Sequence, residues 1–302
     1  MPNSDPLISV GMPVYNGEQF VELAIRSILD QTYPHFELII SDNASTDRTP
    51  EICRDLASED DRITYSRNSQ NIGAAGNFNR VFSVSSGEFF RWATADDISG
   101  LELHEKCLAV LKSHPEAVLA YGRNRFIDAE GTEIAGREDN LDLQQDKASD
   151  RFIKFYRSVG FTNVVYGLMR SSAVSQTALM GDGSFPAADI NFMAELTLQG
   201  KFIEIPDYLF YRRWHSGASS WEAVANDEEV QKEFWNAGSL DFTIPTWKQR
   251  LADFRSVRST AMSLAEKRKL YSFLLRSMYW QKKVLVRELA QAIGNGPIGP
   301  GK

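Results

Sequence analysis

Apolar and polar residues fall along the first hundred positions in blocks that switch between strand and helix periods. Leu7 to Met12 is a mostly apolar run ending at Pro13, which predicts a central parallel strand. Val14-Tyr15-Asn16-Gly17 is a turn, and Asn16 followed by Gln19 has the form of a helix capping box. Phe20, Leu23, Ala24, Ser27 and Ile28 then share one helix face, and Pro34 closes the connection. Phe36 to Ile40 predicts a second strand, ending in the polar run Ser41 to Asp47. Thr49 with Pro50 opens a helix, since proline suits the first helical position. Ile63-Thr64-Tyr65 is a third short strand. Asn71 to Asn77 is a glycine-rich turn into a helix that runs to about Ser85. Phe89 to Ala93 is short, aromatic and set off by Ser85-Ser86-Gly87, so it reads as a buried strand. It stops at two adjacent carboxylates, Asp96 and Asp97. The order β-α-β-α-β-α-β predicts an α/β fold with a parallel, doubly wound sheet.

Later signals are sparser. Gly181 to Asp189 is a Gly/Pro-punctuated loop opening a helix whose apolar face is Ile190, Met193, Ala194, Thr197 and Leu198. Ser263 to Ile293 reads as one long helix, with Tyr271, Leu274, Leu275, Met278, Leu285 and Leu289 at helical spacing. No internal repeat is visible, and the only biased segment is the Gly/Pro-rich tail 294–302.

Composition sharpens this picture. A chain of 302 residues, 43% hydrophobic and 24% charged, buries a large core in one domain or two unequal ones. No run reaches the length of a membrane span, and Met1 to Pro6 has no signal-peptide pattern. Cys53 and Cys107 both lie in helix-like patterns, which points to a reducing cytosol; no Cys/His cluster has zinc spacing. The net charge of −7 argues against nucleic-acid binding. It is unevenly spread: Thr246 to Lys302 carries 12 Lys/Arg and 3 Asp/Glu, a net of +9, so the rest carries −16.

The chemistry-grade groups sit at strand ends: Pro13 and Tyr15, Asp42 and Asn43, Asp96 and Asp97. In an open parallel sheet these ends converge on one crevice. A nucleotide needs a platform for its base, an acceptor for base or ribose, and a cation for its diphosphate, and these pairs match those needs in turn. Adjacent Asp side chains repel, and a hard divalent cation carrying phosphates relieves that. The plainer alternative is that Asp97 caps a helix starting at Ile98. There is no Gly-x-Gly-x-x-Gly after the first strand and no Walker A motif.

With these residues in view, the chain resembles the family 2 glycosyltransferases, whose nucleotide-diphospho-sugar fold is called GT-A. Pro13 to Glu18 resembles the family's first motif, Ser27 to Thr32 and Phe36 to Ile40 the following helix end and strand. Ser41 to Asp47 resembles the nucleotide-binding loop, and Asn71-Ile72-Gly73 the turn before the third helix. Ala95-Asp96-Asp97 stands where the family has its metal-binding D-x-D. Arg212-Arg213-Trp214-His215, with Ser216 to Ser220, resembles the closing R-x-H-x-x-S segment. The likeness covers roughly Leu7 to Ser220.

The resemblance implies a GT-A domain over 1–220, with a nucleotide-sugar half to about 100 and an acceptor half from 101, and a helical C-terminal extension over 221–302. It implies that Pro13 and Tyr15 line the nucleoside pocket and that Asp42 and Asn43 contact base or ribose. Asp96 then binds the donor's ribose or sugar, and Asp97 holds Mn²⁺ or Mg²⁺ on the diphosphate. His215 is a third group reaching metal or diphosphate, and otherwise a packed histidine. Arg212 and Arg213 either neutralise phosphate or are solvated. Asn43 departs from the family's acid and weakens the case for uridine, leaving guanosine and thymidine donors open. Asp189 is the expected base for an inverting transfer, by family position; on composition it is a favourable helix-N-terminal charge, with Asp182 in reserve.

The expected activity is a metal-dependent, inverting transfer (EC 2.4) from a nucleotide-diphospho-sugar to a glycan or lipid-linked acceptor, in surface polysaccharide assembly. The rivals are a sugar-nucleotide-forming nucleotidyltransferase, which expects a Lys/Arg-bearing loop where Pro13 to Glu18 has none, and a non-catalytic binding subunit. The expected location is cytoplasmic. Lys267, Arg268, Lys269, Arg276, Lys282, Lys283 and Arg287 decorate the last helix. Its basic face is either solvated or docked peripherally on anionic lipid. Oligomeric state stays open.

Overall fold

A computed structural model describes residues 5–136, 139–160, 162–183, 185–186, 188–218, 230–231, 234–235 and 244–294. The last serines of the closing motif, Ser219 and Ser220, and the tail beyond 294 lie outside the described residues.

The first half follows the hydrophobic pattern: β1 (Ile8–Val14), α1 (Val21–Leu29), β2 (Phe36–Asp42), α2 (Thr49–Glu59), β3 (Ile63–Arg67), α3 (Gly73–Ser83) and β4 (Phe89–Trp92). β1 pairs in parallel with β2 and β4, and β2 with β3. β1 is buried along its whole length, as a central strand covered on both faces must be. Gly11 allows that cover: a Cβ there would stand 2.6 Å from Val81 of α3. Gly73 opens α3 at φ +74°, a conformation glycine takes without penalty.

The second half adds β5 (Ile98–Ser99), α4 (Leu103–Ser113), β6 (Ala117–Ile127), β7 (Glu133–Ile134), α5 (Ala148–Ser158), β8 (Leu168–Arg170), α6 (Ser171–Val174), α7 (Ala188–Gln199) and β9 (Lys201–Arg213). These extend the sheet to nine strands in the order β3-β2-β1-β4-β8-β6-β9-β5, with β7 on β6. β8 joins β4 and β6 antiparallel, whereas β6 and β9 run parallel. One apolar core packs α1, α2 and α4 against one face; the other lies under α3, α5 and α7.

Three local expectations are corrected. Asn16 does not cap α1. Winding begins with Phe20 and Val21 bonding to Gly17 O, and the Asn16 carboxamide oxygen instead accepts Thr46 N–H at 2.8 Å. No helix starts at Ile98, because Ile98 and Ser99 pair with Tyr211 and Phe210 as a strand, so the capping role for Asp97 falls. The long C-terminal helix is two. α9 (Leu264–Trp280) and α10 (Lys282–Gly294) break at Gln281, whose carboxamide accepts Arg250 Nε–H at 3.1 Å. The break turns α10 onto the preceding α8 (Pro245–Ser259), where Trp247 Nε1–H donates to Leu285 O and Thr246 N–H to Glu288.

These helices are fused to the body. Val257, Leu270 and Leu274 are fully buried in the same core as Phe152 and Phe192. The buried Asp253 carboxylate of α8 accepts Tyr156 O–H at 2.5 Å, Asn191 Nδ2–H at 2.9 Å and Arg250 Nη1–H at 2.8 Å. Ser256 donates to Glu195 of α7. Both cysteines are free and buried, and burial pushes each thiol up to about 12. Among the described residues no helix is long and apolar enough to cross a membrane.

Candidate active site

The loops after β1 and β2 are stitched together. Asn16 N–H donates to Ser45 Oγ at 2.9 Å, Gly17 N–H to Thr49 Oγ1 at 2.8 Å, and Glu18 N–H to Asp47 Oδ2 at 3.0 Å. Asn16 and Ala44 hold positive φ at the two bends. Pro13 is buried in β1 opposite Ser41, while Tyr15 leaves its ring exposed at the strand end.

Asp42 and Asn43 face inward. One Asp42 oxygen accepts Ser45 N–H at 2.8 Å; the other accepts Tyr65 O–H at 2.8 Å and pairs with Arg67 Nε at 3.3 Å. Asn43 Oδ1 accepts Ile72 N–H at 2.9 Å and Asn68 Nδ2–H at 3.0 Å, and Asn43 Nδ2 donates to Asn71 Oδ1 and Gly73 O. A backbone N–H only donates, so Ile72 fixes which end of the amide is oxygen. All four hydrogen-bonding positions of the Asn43 amide are thus engaged, and its side chain ties the 68–73 turn to the strand end.

Asp96 and Asp97 meet the chain that leaves β9. Asp97 is 7% exposed; Oδ1 accepts Arg213 N–H at 2.7 Å and Oδ2 accepts Thr94 O–H at 2.6 Å. Its carboxyl is pushed up to about 7, first by burial and then by Asp96 beside it, against the pull of Arg212 and these two donors. Asp96 Oδ2 lies 3.1 Å from His215 Nε2. Gly217 N–H donates to His215 Nδ1, which leaves Nε2 as the ring nitrogen turned toward Asp96. His215 packs edge-on to Phe20 with centroids 4.8 Å apart. Arg213 is a clamp, not a solvated cation: it is 3% exposed, donates to the carbonyls of Asp96, Asp128 and Ala129, and lies 4.6 Å over the Phe20 ring. Among the described residues no three His, Cys, Asp or Glu side chains are gathered as a ready-made metal cage.

Asp189 stands in the first turn of α7, half-buried, and accepts the Thr162 hydroxyl proton. Its link to the strand-end carboxylates is Tyr166. This half-buried phenol stacks on Phe210 at 5.2 Å, and its pKa is raised, chiefly by burial and further by Asp97, Asp96 and Asp189, with Arg212 opposing. Four groups from three parts of the chain therefore act electrostatically on one phenol. Asp182 is exposed on the loop before α7.

Sequence reasoning missed Tyr166 and the network that holds Arg212. Arg212 Nη1 donates to Asn163 Oδ1, and Asn163 Nδ2 donates to buried Asp139. Burial pushes Asp139 up to about 7, against donation from Val164 N–H and attraction to Arg212. No short motif announces residues 139, 163 and 166, which only folding brings to Arg212.

A pH dependence follows. Asp97 and Asp139, near 7, and Asp253, raised to about 6, all hold protons more tightly folded than unfolded. A raised pKa contributes stability that is full below the unfolded value and lost as pH rises to the folded one, here from about 4 to about 7. Thermal unfolding in chelator should therefore show a melting temperature falling from pH 5 to pH 8; a steady rise over that range is the contrary result.

Comparison with known proteins bears on the family and the fold. The family described as Glycosyl transferase family 2 matches residues 9–176. A Campylobacter jejuni protein named GalNAc(5)-diNAcBac-PP-undecaprenol beta-1,3-glucosyltransferase is 34% identical over 157 residues, which span 50% of this chain and 49% of that one. Among solved structures, Staphylococcus aureus TarS 1–349 in complex with UDP-GlcNAc superposes with a TM-score of 0.62 at 17% identity, over 90% of this chain and 72% of that one. The mannosyltransferase PcManGT of Pyrobaculum calidifontis, in complex with GDP-Man and Mn²⁺, gives 0.59 at 15% identity, over 98% and 78%. At such identities the superpositions establish the shared fold.

Proposed function

Since the chain belongs to glycosyl transferase family 2, we propose that it moves a sugar, with inversion, from a nucleotide-diphospho-sugar to a hydroxyl of a glycan on a lipid carrier. It is an enzyme of the glycosyltransferase class on the GT-A fold, and some of its relatives are named for lipid-linked glycan assembly.

The support is that Asp96, Asp97 and Asp189 all act electrostatically on the one phenol, Tyr166, and on this reading the first two serve the donor side and Asp189 the acceptor side. Inversion needs a base opposite the leaving diphosphate. Asp189 takes the acceptor proton, with Thr162 fixing one oxygen so that the other meets the hydroxyl. Tyr15 offers its exposed ring to the base, with Pro13 beneath it in β1. Asp42 keeps the β2 loop in shape beside the ribose. Asn43, fully bonded within the protein, shapes the base pocket through the 68–73 turn and does not read uracil by a carboxylate.

The residues also fit a divalent cation. Two adjacent carboxylates, one raised to about 7 by burial and its neighbour, form an under-compensated negative site of hard oxygen donors with an imidazole beside them. Asp97 and His215 would hold Mn²⁺ or Mg²⁺, which when bound neutralises the leaving diphosphate.

A thermal-shift screen of UDP-, GDP- and dTDP-sugars tests this. One donor should raise the melting temperature with Mn²⁺ and not with chelator, by the equivalent of about 2.7 kcal/mol at a hundred times Kd. No response to any of the three with Mn²⁺ would sink the donor reading.

A further inference from the structure

The outer sides of α9 and α10 are unusual for a chain end packed on a core. Leu275, Tyr279, Val286, Trp280 and Ile293 are between 60% and 81% exposed. Their helices are anchored by other faces: Leu270 and Leu274 bury one side of α9, and Leu285 with Glu288 one side of α10. On α10, Val286, Leu289 and Ile293 recur at i, i+3 and i+7, so they form one apolar stripe turned away from the body. The Lys282 ammonium lies 4.2 Å from the centre of the Tyr279 ring and joins this stripe to α9. Arg268, Arg276, Lys283 and Arg287 are exposed among these apolar groups. Large exposed apolar side chains interleaved with cations mark an interaction surface.

We propose that this surface docks on a bilayer of anionic phospholipid, with Trp280, Val286 and Ile293 entering the interface and the cations meeting headgroup phosphates. Aromatic and aliphatic groups flanked by Lys and Arg are the composition of an interfacial helix. Between α5 and α9 a cavity of about 420 Å³ is lined by Lys154, Arg157, Lys269 and Arg276, with Asp150 paired to Lys269. It accepts a lipid phosphate at the flank of the apolar stripe. Charge selects this occupant over a second copy of the chain. Two faces from a +9 segment repel each other, whereas an anionic surface attracts that segment and repels the −16 remainder, which sets the orientation. The proposal rests on the preceding reading only in that a lipid-linked acceptor gives the enzyme a reason to sit there.

The test is flotation of the full-length protein with vesicles of phosphatidylcholine alone or mixed with phosphatidylglycerol. The protein should float with the mixed vesicles only and be released by salt. Each cation near such a surface is worth about fivefold in partitioning, so the double variant Arg157→Gln/Arg276→Gln should bind roughly 25-fold more weakly. The triple variant Trp280→Ser/Val286→Ser/Ile293→Ser should lose flotation while its donor hydrolysis and melting temperature stay at wild-type values, since none of these residues is near the carboxylates or buried. Equal flotation on both vesicles, or unchanged flotation of the triple variant, overturns the proposal. So does a wild-type dimer in sedimentation that the triple variant dissolves, with no vesicle binding by either. Flotation needs neither donor nor metal, so its failure is separate from failure of the transfer reaction.

Discussion

Asp189→Asn should bind donor as the wild type does and turn over about 10²–10⁴-fold more slowly. Asparagine keeps the shape of the side chain and can still accept the Thr162 hydroxyl, so the first turn of α7 is unchanged. It cannot take a proton from an acceptor. On the proposed reading donor affinity is set at the strand ends, to which no hydrogen bond of Asp189 runs, so titration calorimetry with donor should be unaltered. The loss then falls on kcat, the signature of an interaction made only in the transition state. Substantial turnover in this variant removes Asp189 as the base and moves attention to Asp182 across the loop.

The second large effect is expected at Asp97. Asp97→Asn should lose the metal-dependent part of donor binding, by about 100-fold or more, since even partners behind a metal ligand are worth 10- to 100-fold. Folding is the obvious competing explanation, and the pKa direction separates the two. The wild-type carboxylate is raised to about 7 by burial and by Asp96, so at pH 8 it carries a charge that the fold resists. A neutral amide relieves that strain while its oxygen still accepts Arg213 N–H. The metal-free variant should therefore melt no lower than wild type at pH 8 while failing to respond to Mn²⁺ plus donor. Undiminished affinity in the presence of Mn²⁺ counts against the metal role.

The first half of the fold was legible because its signals are local. The apolar run of β1, Pro50 at the start of α2, Gly73 at the start of α3 and the aromatic block of β4 each announce their own element. In the second half the helix Ala188–Gln199 was legible too, but the strands were not, because they hide their partners. β6 carries Arg123, Asn124 and Arg125 in mid-strand, which reads as loop until Glu204 and Tyr208 arrive from distant β9, with Glu133 from the adjacent β7, to meet the two arginines. Asp97 had two local readings, and only the pairing of Ile98 with Tyr211 decided between them. Asn43 shows the same limit at the site. Its position beside Asp42 points to a base contact, yet its four hydrogen bonds reach a turn more than twenty residues on, which no short pattern encodes. Tyr166 and Asp139 had no signal at all, since each matters only through neighbours brought in by β9.

The contact between α8 and α7 limits how freely this enzyme can be rebuilt. Asn191, one half-turn beyond Asp189, is held by Asp253 from a helix more than sixty residues later in the chain. A chimera that exchanges the C-terminal helices for those of a cousin would therefore disturb the turn that carries Asp189, the proposed base, as well as the proposed lipid-docking face. On the proposed reading, engineering that treats the last helices as a detachable address label would disturb the α7 turn along with the docking face.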